Sequence, residues 1–194
     1  MPRPYRIINM RLFIAFPLPE KIKTILGRCM ETIKYCGVKA SFVRAQNLHL
    51  TIKFLGEVEP RGLESIKAAM GNTARGFSAV NVRLTDWGFF PHERRPKIFF
   101  IATDNETRLG IIARTLEKNL EKSGFVRENR FKPHITLARI KNPENIEKLA
   151  KKIEILKPRD EFTIGEIVLF KSILSAQRPT YEEIFSQPLT GKIP

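Results

Sequence analysis

Cysteine is scarce in this 194-residue chain. The two that occur, Cys29 and Cys36, fall in what reads as one helix, where a rise of about 1.5 Å per residue sets them about 10 Å apart, beyond disulfide reach. They are expected to be reduced core residues. Histidine occurs three times, and no cluster of cysteine and histidine has metal-site spacing, which argues against zinc. Apolar runs are strand-sized and none approaches the ~18 residues of a membrane span. The opening MPRPYRIINMRLFIAF lacks the long apolar region of a cleavable signal. A soluble cytoplasmic protein with no membrane contact is the expectation.

Acidic residues are also in the minority. Lys and Arg number 34 against 20 Asp and Glu, a formal charge of +14. Such a surplus draws a protein to polyanions: nucleic acid, an anionic membrane or a phosphorylated small molecule. With 42% hydrophobic residues the chain is globular rather than disordered. At this length folding removes roughly 70% of the extended chain's surface from water, enough for a core without covalent staples.

Hydrophobic period places a strand over Arg11 to Phe16. After Pro17-Leu18-Pro19 a helix follows from Glu20 to about Tyr35, with Ile22, Ile25, Leu26, Met30 and Ile33 on one face and Gly37 closing it. Ala40 to Val43 and Leu48 to Leu55 read as strands, Leu63 to Ala74 as a helix, and Val80 to Trp87 and Ile98 to Ala102 as strands. A helix over Glu106 to Lys122 precedes a strand from Pro133 to Ile140. A further helix runs from Pro143, placed in its first turn, to Ile155. Phe162 to Leu174 and Tyr181 to Phe185 close the chain as a strand pair. Helices and strands mix without strict alternation, which favours an α+β fold with antiparallel sheets. Met10 directly precedes the first strand, so residues 1 to 9 are expected to be an N-terminal extension and 10 to 194 a single domain.

One internal echo stands out. Asn47-Leu48-His49-Leu50-Thr51-Ile52-Lys53-Phe54 and Lys132-Pro133-His134-Ile135-Thr136-Leu137-Ala138-Arg139 both carry His-x-Thr followed by an apolar residue. A lone His-x-Thr is ordinarily a half-exposed polar face, but a matched pair in a basic chain points to function. Strand alternation puts His49, Thr51 and Lys53 on one face, with Leu48, Leu50, Ile52 and Phe54 on the buried one. The same parity groups Arg130, Lys132, His134 and Thr136, and leaves Arg139 on the wrong side unless the strand bends. Two such strands side by side would line a groove with a histidine on each flank. In-line displacement at phosphorus needs that arrangement, one group taking the nucleophile's proton and another protonating the leaving oxygen. Histidine suits both roles, and hydroxyls and cations hold the non-bridging oxygens.

These motifs resemble those of the 2H phosphoesterase superfamily. The stretches NLHLTIKFLGEV and RFKPHITLARI are similar to the RNA 2′,3′-cyclic phosphodiesterases, also called 2′-5′ RNA ligases, as are Arg11 to Phe16 and Arg95-Pro96-Lys97-Ile98-Phe99-Phe100. The resemblance spans about Met10 to Ser186. It implies a bilobal α+β fold of two pseudo-symmetric lobes, each with an antiparallel sheet and outer helices, around a cleft carrying both motifs. It further implies His49 as general acid on the leaving 3′-oxygen, His134 as general base on water, and Thr51 and Thr136 as phosphate ligands. The product would be a 2′-phosphate, formed with no metal or other cofactor. The implied partner is RNA with 2′,3′-cyclic phosphate ends, tRNA fragments included, bound by a monomer.

Arg130, Lys132, Lys53 and Arg139 are the candidate substrate cations. His92 lacks a companion threonine and is not expected to be catalytic, and core packing is the expected use of Phe42 and Phe131. Two other readings stay open: a non-catalytic module that binds RNA ends, and a phosphodiesterase of small cyclic nucleotides. The charge tilts the balance toward a polynucleotide.

Overall fold

The computed structural model describes residues 9–191 apart from 93, 129–130 and 176–178. Its first half runs β1 (Met10–Pro17), α1 (Glu20–Lys34), β2 (Lys39–Phe42), β3 (His49–Val58), α2 (Leu63–Ala74) and β4 (Val80–Phe90). The second half runs β5 (Ile98–Thr103), α3 (Glu106–Glu121), β6 (His134–Asn142), α4 (Ile146–Ile155), β7 (Glu161–Ile164), β8 (Glu166–Ile173) and β9 (Thr180–Pro188).

The helices bury the stripes that their periodicity requires. In α1 these are Ile22, Leu26, Met30 and Ile33, each removed from water at about 1.5–3 kcal/mol of stabilisation. Gly37, at φ +79°, reverses the chain after it. The fourth helix starts later than its proline suggests. Pro143 only accepts a turn bond from the Ile146 N–H, and the left-handed Asn145 precedes the first helical residue. Cys29 and Cys36 are free and half-buried rather than core.

The strands form one path, β7-β4-β5-β6-β3-β1-β8-β9, with β2 paired to β6. The order is symmetric about the β3–β6 seam: β1 and β5 flank the motif strands, and β8 and β4 lie beyond them. At the seam the antiparallel strands pair at Leu50 and Ile135, the residues that follow the two motif histidines. The single terminal strand expected over Phe162 to Leu174 is two. At Gly165 the chain crosses from β4, which pairs β7, to β1, which pairs β8, so one continuous stretch serves both halves. One apolar cluster, from Leu12 and Ile14 through Leu50 and Ile135 to Phe99 and Leu116, runs through the whole molecule.

Candidate active site

The motif strands begin at their histidines, and a backbone carbonyl two residues upstream sets each ring. His49 Nδ1 lies 2.7 Å from the Asn47 carbonyl oxygen, and His134 Nδ1 lies 2.7 Å from that of Lys132. A carbonyl only accepts, so Nδ1 carries the hydrogen in both neutral rings and Nε2 keeps its lone pair. Phenylalanines of the neighbouring strands support the rings: Phe13 of β1 lies 4.8 Å from His49, and Phe100 of β5 lies 5.4 Å from His134. Tyr181 meets His49 edge-on at 5.3 Å, and Phe90 meets His134 edge-on at 5.0 Å. The two copies of the motif are thus built the same way on either side of the Leu50–Ile135 pair.

Burial holds both imidazoles below their ordinary value. His49 is pushed down to about 4, chiefly by loss of water, against the Asn47 carbonyl and with the nearby His134 adding to the fall. His134 is lowered for the same principal reason, and the Lys132 charge acts in the same direction. Both rings are therefore neutral at pH 7 in the empty site.

Both strands break their alternation just past the threonine. In β3, Ile14 faces Lys53 and Ala15 faces Thr51, so Ile52 is an extra residue. In β6, Phe99 faces Ala138 and Phe100 faces Thr136, so Leu137 is the extra one. Such a bulge puts two successive side chains inward and inverts the parity that follows. Ile52 and Lys53 are both buried, as are Leu137 and Ala138, while Phe54 is 63% exposed. Gly56, at φ +73°, follows a second offset at Leu55.

The bulges overturn the expected placement of Lys53 and Phe54 and supply the bend that Arg139 needed to reach the groove. Lys53 does not face the histidine groove. It is 4% exposed, and its Nζ donates to the Val126 carbonyl oxygen at 2.8 Å and pairs with Glu117 at 3.2 Å and Glu128 at 3.3 Å. Phe54, expected in the core, takes the groove position instead. Arg139, expected on the wrong face, is brought to the groove by the equivalent bulge.

A cavity of about 430 Å³ opens beside the seam, lined by His49, Thr51, Thr136, Arg139, Phe54 and Tyr181. Arg11 and Arg44 also line it, and no carboxylate does among the described residues. These two arginines escaped the sequence reading because they lie outside both motifs. Tyr181 escaped it because only the β8–β9 hairpin returns its ring to those of Phe13 and His49. Asn47 Nδ2 donates to the Pro179 carbonyl oxygen at 2.9 Å, which holds that hairpin's connection against the motif. His134 is not itself in the cavity wall, although Thr136 and Arg139 of the same strand are. Lys132 is exposed, its Nζ 5.9 Å from the centre of the Phe90 ring. Arg130 lies outside the described residues. Phe131 is partly buried against the core, and His92 is exposed on the loop after β4. Among the described residues no group of three or more His, Cys, Asp or Glu could hold a metal ion, and no helix is long and apolar enough to cross a membrane.

The molecule is a mixed α+β protein whose curled antiparallel sheet pairs the two His-x-Thr strands at its centre, and comparison with known proteins narrows the class. The family model of the 2'-5' RNA ligase superfamily matches residues 19–174. The chain is 34% identical over 177 residues to an RNA 2',3'-cyclic phosphodiesterase of Methanocaldococcus jannaschii, covering 90% of this chain and 98% of that protein. It is 30% identical over 183 residues to one of Thermotoga maritima, covering 94% and 97%. Among solved structures, a Thermus thermophilus protein superposes with a TM-score of 0.78 at 28% identity, over 95% of this chain and 100% of that one. Escherichia coli LigT complexed with 3'-AMP superposes at 0.77 with 26% identity, over 94% and 99%. The chain belongs to the 2'-5' RNA ligase superfamily.

Proposed function

We propose that this protein hydrolyses the 2′,3′-cyclic phosphate ends of RNA to 2′-phosphomonoesters; its relatives carry the name RNA 2',3'-cyclic phosphodiesterase. The observation that carries the reading is the symmetric pair of imidazoles: each is held by a carbonyl at Nδ1, and the two flank one seam. Thr51, Thr136 and Arg139 hold the phosphate's non-bridging oxygens. His134 Nε2 takes a proton from water as its oxygen bonds to phosphorus, the bond from phosphorus to the 3′-oxygen breaks, and His49 gives that oxygen a proton. Because both rings are neutral in the empty site, His49 gains its proton as the anionic phosphate enters, for an adjacent anion favours imidazolium. Lys132 adds positive charge beside His134.

A 5′-hydroxyl of a second RNA in place of water gives a 2′-5′ linkage from the cyclic phosphate without ATP. Hydrolysis dominates, since a second RNA end must be positioned at entropic cost. The protein works as a cytoplasmic monomer, and tRNA fragments fall within its substrate class.

The test is a short RNA ending in a 2′,3′-cyclic phosphate, incubated with the protein in EDTA and read by mass spectrometry and phosphatase-coupled chromatography. A 2′-phosphate should appear, and His49→Ala and His134→Ala should each slow it by about 10²–10⁴-fold, the usual worth of a positioned acid or base. No turnover with salt-sensitive binding retained would reduce the protein to a module that binds RNA ends.

A further inference from the structure

The +14 charge is not spread evenly around the site, and its distribution gives the groove two unlike exits. Among the described residues, carboxylates outnumber cations on the exposed surface toward β1, β8 and β9. Glu57 faces Arg11 across the β1–β3 ladder, while Glu182 and Glu183 stand on β9 with Lys171 already drawn to Glu182 at 3.8 Å.

Toward the other end the charge is basic. Arg139 and Arg44 line the cavity, and Ser41, also in its wall, pairs with Arg139 across the β2–β6 ladder. Two residues back along β2 from Ser41, about 7 Å, lies Lys39, on the same face by strand parity. Lys141 follows Arg139 on β6 as the extra residue of a bulge, since Ala40 faces Ile140 and Lys39 faces Asn142. Lys97 completes the end of the ladder: its carbonyl accepts from the Ile140 N–H, next to Ile98, which faces Arg139. Lys39, Lys97 and Lys141 are all exposed, and none has an ion-pair partner among the described residues. Three adjacent strands thus carry unpaired lysines to one end of the ladder, Lys39 and Lys141 on Arg139's face and Lys97 just ahead of β5, with Glu144 the nearest carboxylate in sequence.

We infer that the body of the RNA leaves the site over this end of the β5-β6-β2 ladder, Lys39, Lys97 and Lys141 contacting phosphates upstream of the reacting end. A small cyclic nucleotide would use none of these charges. A polynucleotide gains from all three, because each neutralised phosphate releases bound counterions. The inference rests on the reading of the site as one for RNA ends.

The experiment compares the triple variant Lys39→Ala, Lys97→Ala, Lys141→Ala with the wild type. Both act on two substrates ending in a 2′,3′-cyclic phosphate, a dinucleotide and a single-stranded 12-mer. A control removes Arg114, Lys118 and Lys122, exposed along α3 and at its C-cap, by the same change to Ala. The ladder variant should turn over the dinucleotide at the wild-type rate and lose about tenfold or more in kcat/KM on the 12-mer. Its slope of log affinity against log salt should shrink by about 2, three contacts at about 0.7 each on a single strand. The α3 variant should match the wild type. Equal loss on both substrates, no loss on the 12-mer, or an equal loss in the α3 variant would each overturn the inference. Fluorescence anisotropy of the labelled 12-mer reads the same surface even if neither RNA is turned over, so failure of the track and failure of the catalytic reading are distinguishable.

Discussion

At the scale of the residue, the neutral state of His49 follows from its surroundings: little water among aromatic rings and a second imidazole nearby outweigh the Asn47 carbonyl, which favours the charged ring. A general acid must carry its proton, so the active fraction falls as pH rises through its pKa. A base must be neutral, so the active fraction falls as pH drops through its own. In the free protein both values lie below 6.5, His49 at about 4. The profile of kcat/KM, which reports the free enzyme, should therefore decline with rising pH from below 6.5. Bound phosphate raises both values, so the kcat profile should peak at higher pH than that of kcat/KM. Rates of a cyclic-phosphate RNA measured from pH 4 to 9 check this. Coincident profiles, or a kcat/KM limb above pH 7, would remove the substrate-borne proton from the mechanism. Both histidines and both threonines were legible in the sequence because a repeated tetrapeptide in a chain with so few histidines is improbable by chance. Their carbonyl partners were not, since any residue supplies a carbonyl.

At the scale of the element, the bulges decide which side chains serve the site. Strand alternation holds only while each residue has one partner, and an extra residue at Ile52 and at Leu137 reverses all that follows. Nothing in the residue types announces this. Lys53 and Phe54 fit a strand with either side chain inward, and only pairing with β1 shows which is buried. Turned inward, Lys53 ties the first motif strand to α3 and to the chain that approaches the second motif. The buried Glu117 also accepts from the Glu128 N–H, at 3.1 Å. Lys53→Met should cost about 3–5 kcal/mol, because it strands the Glu117 carboxylate. Adding Glu117→Leu should recover much of the loss, since an apolar pair of similar volume often replaces a buried ion pair without penalty. Urea unfolding of the two variants measures both values. A Lys53→Met loss under about 1 kcal/mol, the range of an exposed pair, would mean that the ammonium is solvated rather than buried.

At the scale of the whole molecule, the halves meet at the thin β3–β6 seam yet share one apolar cluster and one chain that crosses at Gly165. Lobes that share a core unfold together, so calorimetry should show one transition with equal calorimetric and van't Hoff enthalpies. Two resolved transitions would make the halves independent domains. The sequence by itself determined the α+β class, most of the elements, the charge and the four motif residues, because periodicity, composition and a repeat are local properties that survive without knowledge of contacts. Tertiary structure alone decided that the two motifs abut at Leu50 and Ile135, that Arg139 and Phe54 face the groove while Lys53 does not, and that Arg11, Arg44 and Tyr181 join it. Those are outcomes of pairing between strands distant in the chain, where one inserted residue or one crossing strand changes which side chains meet.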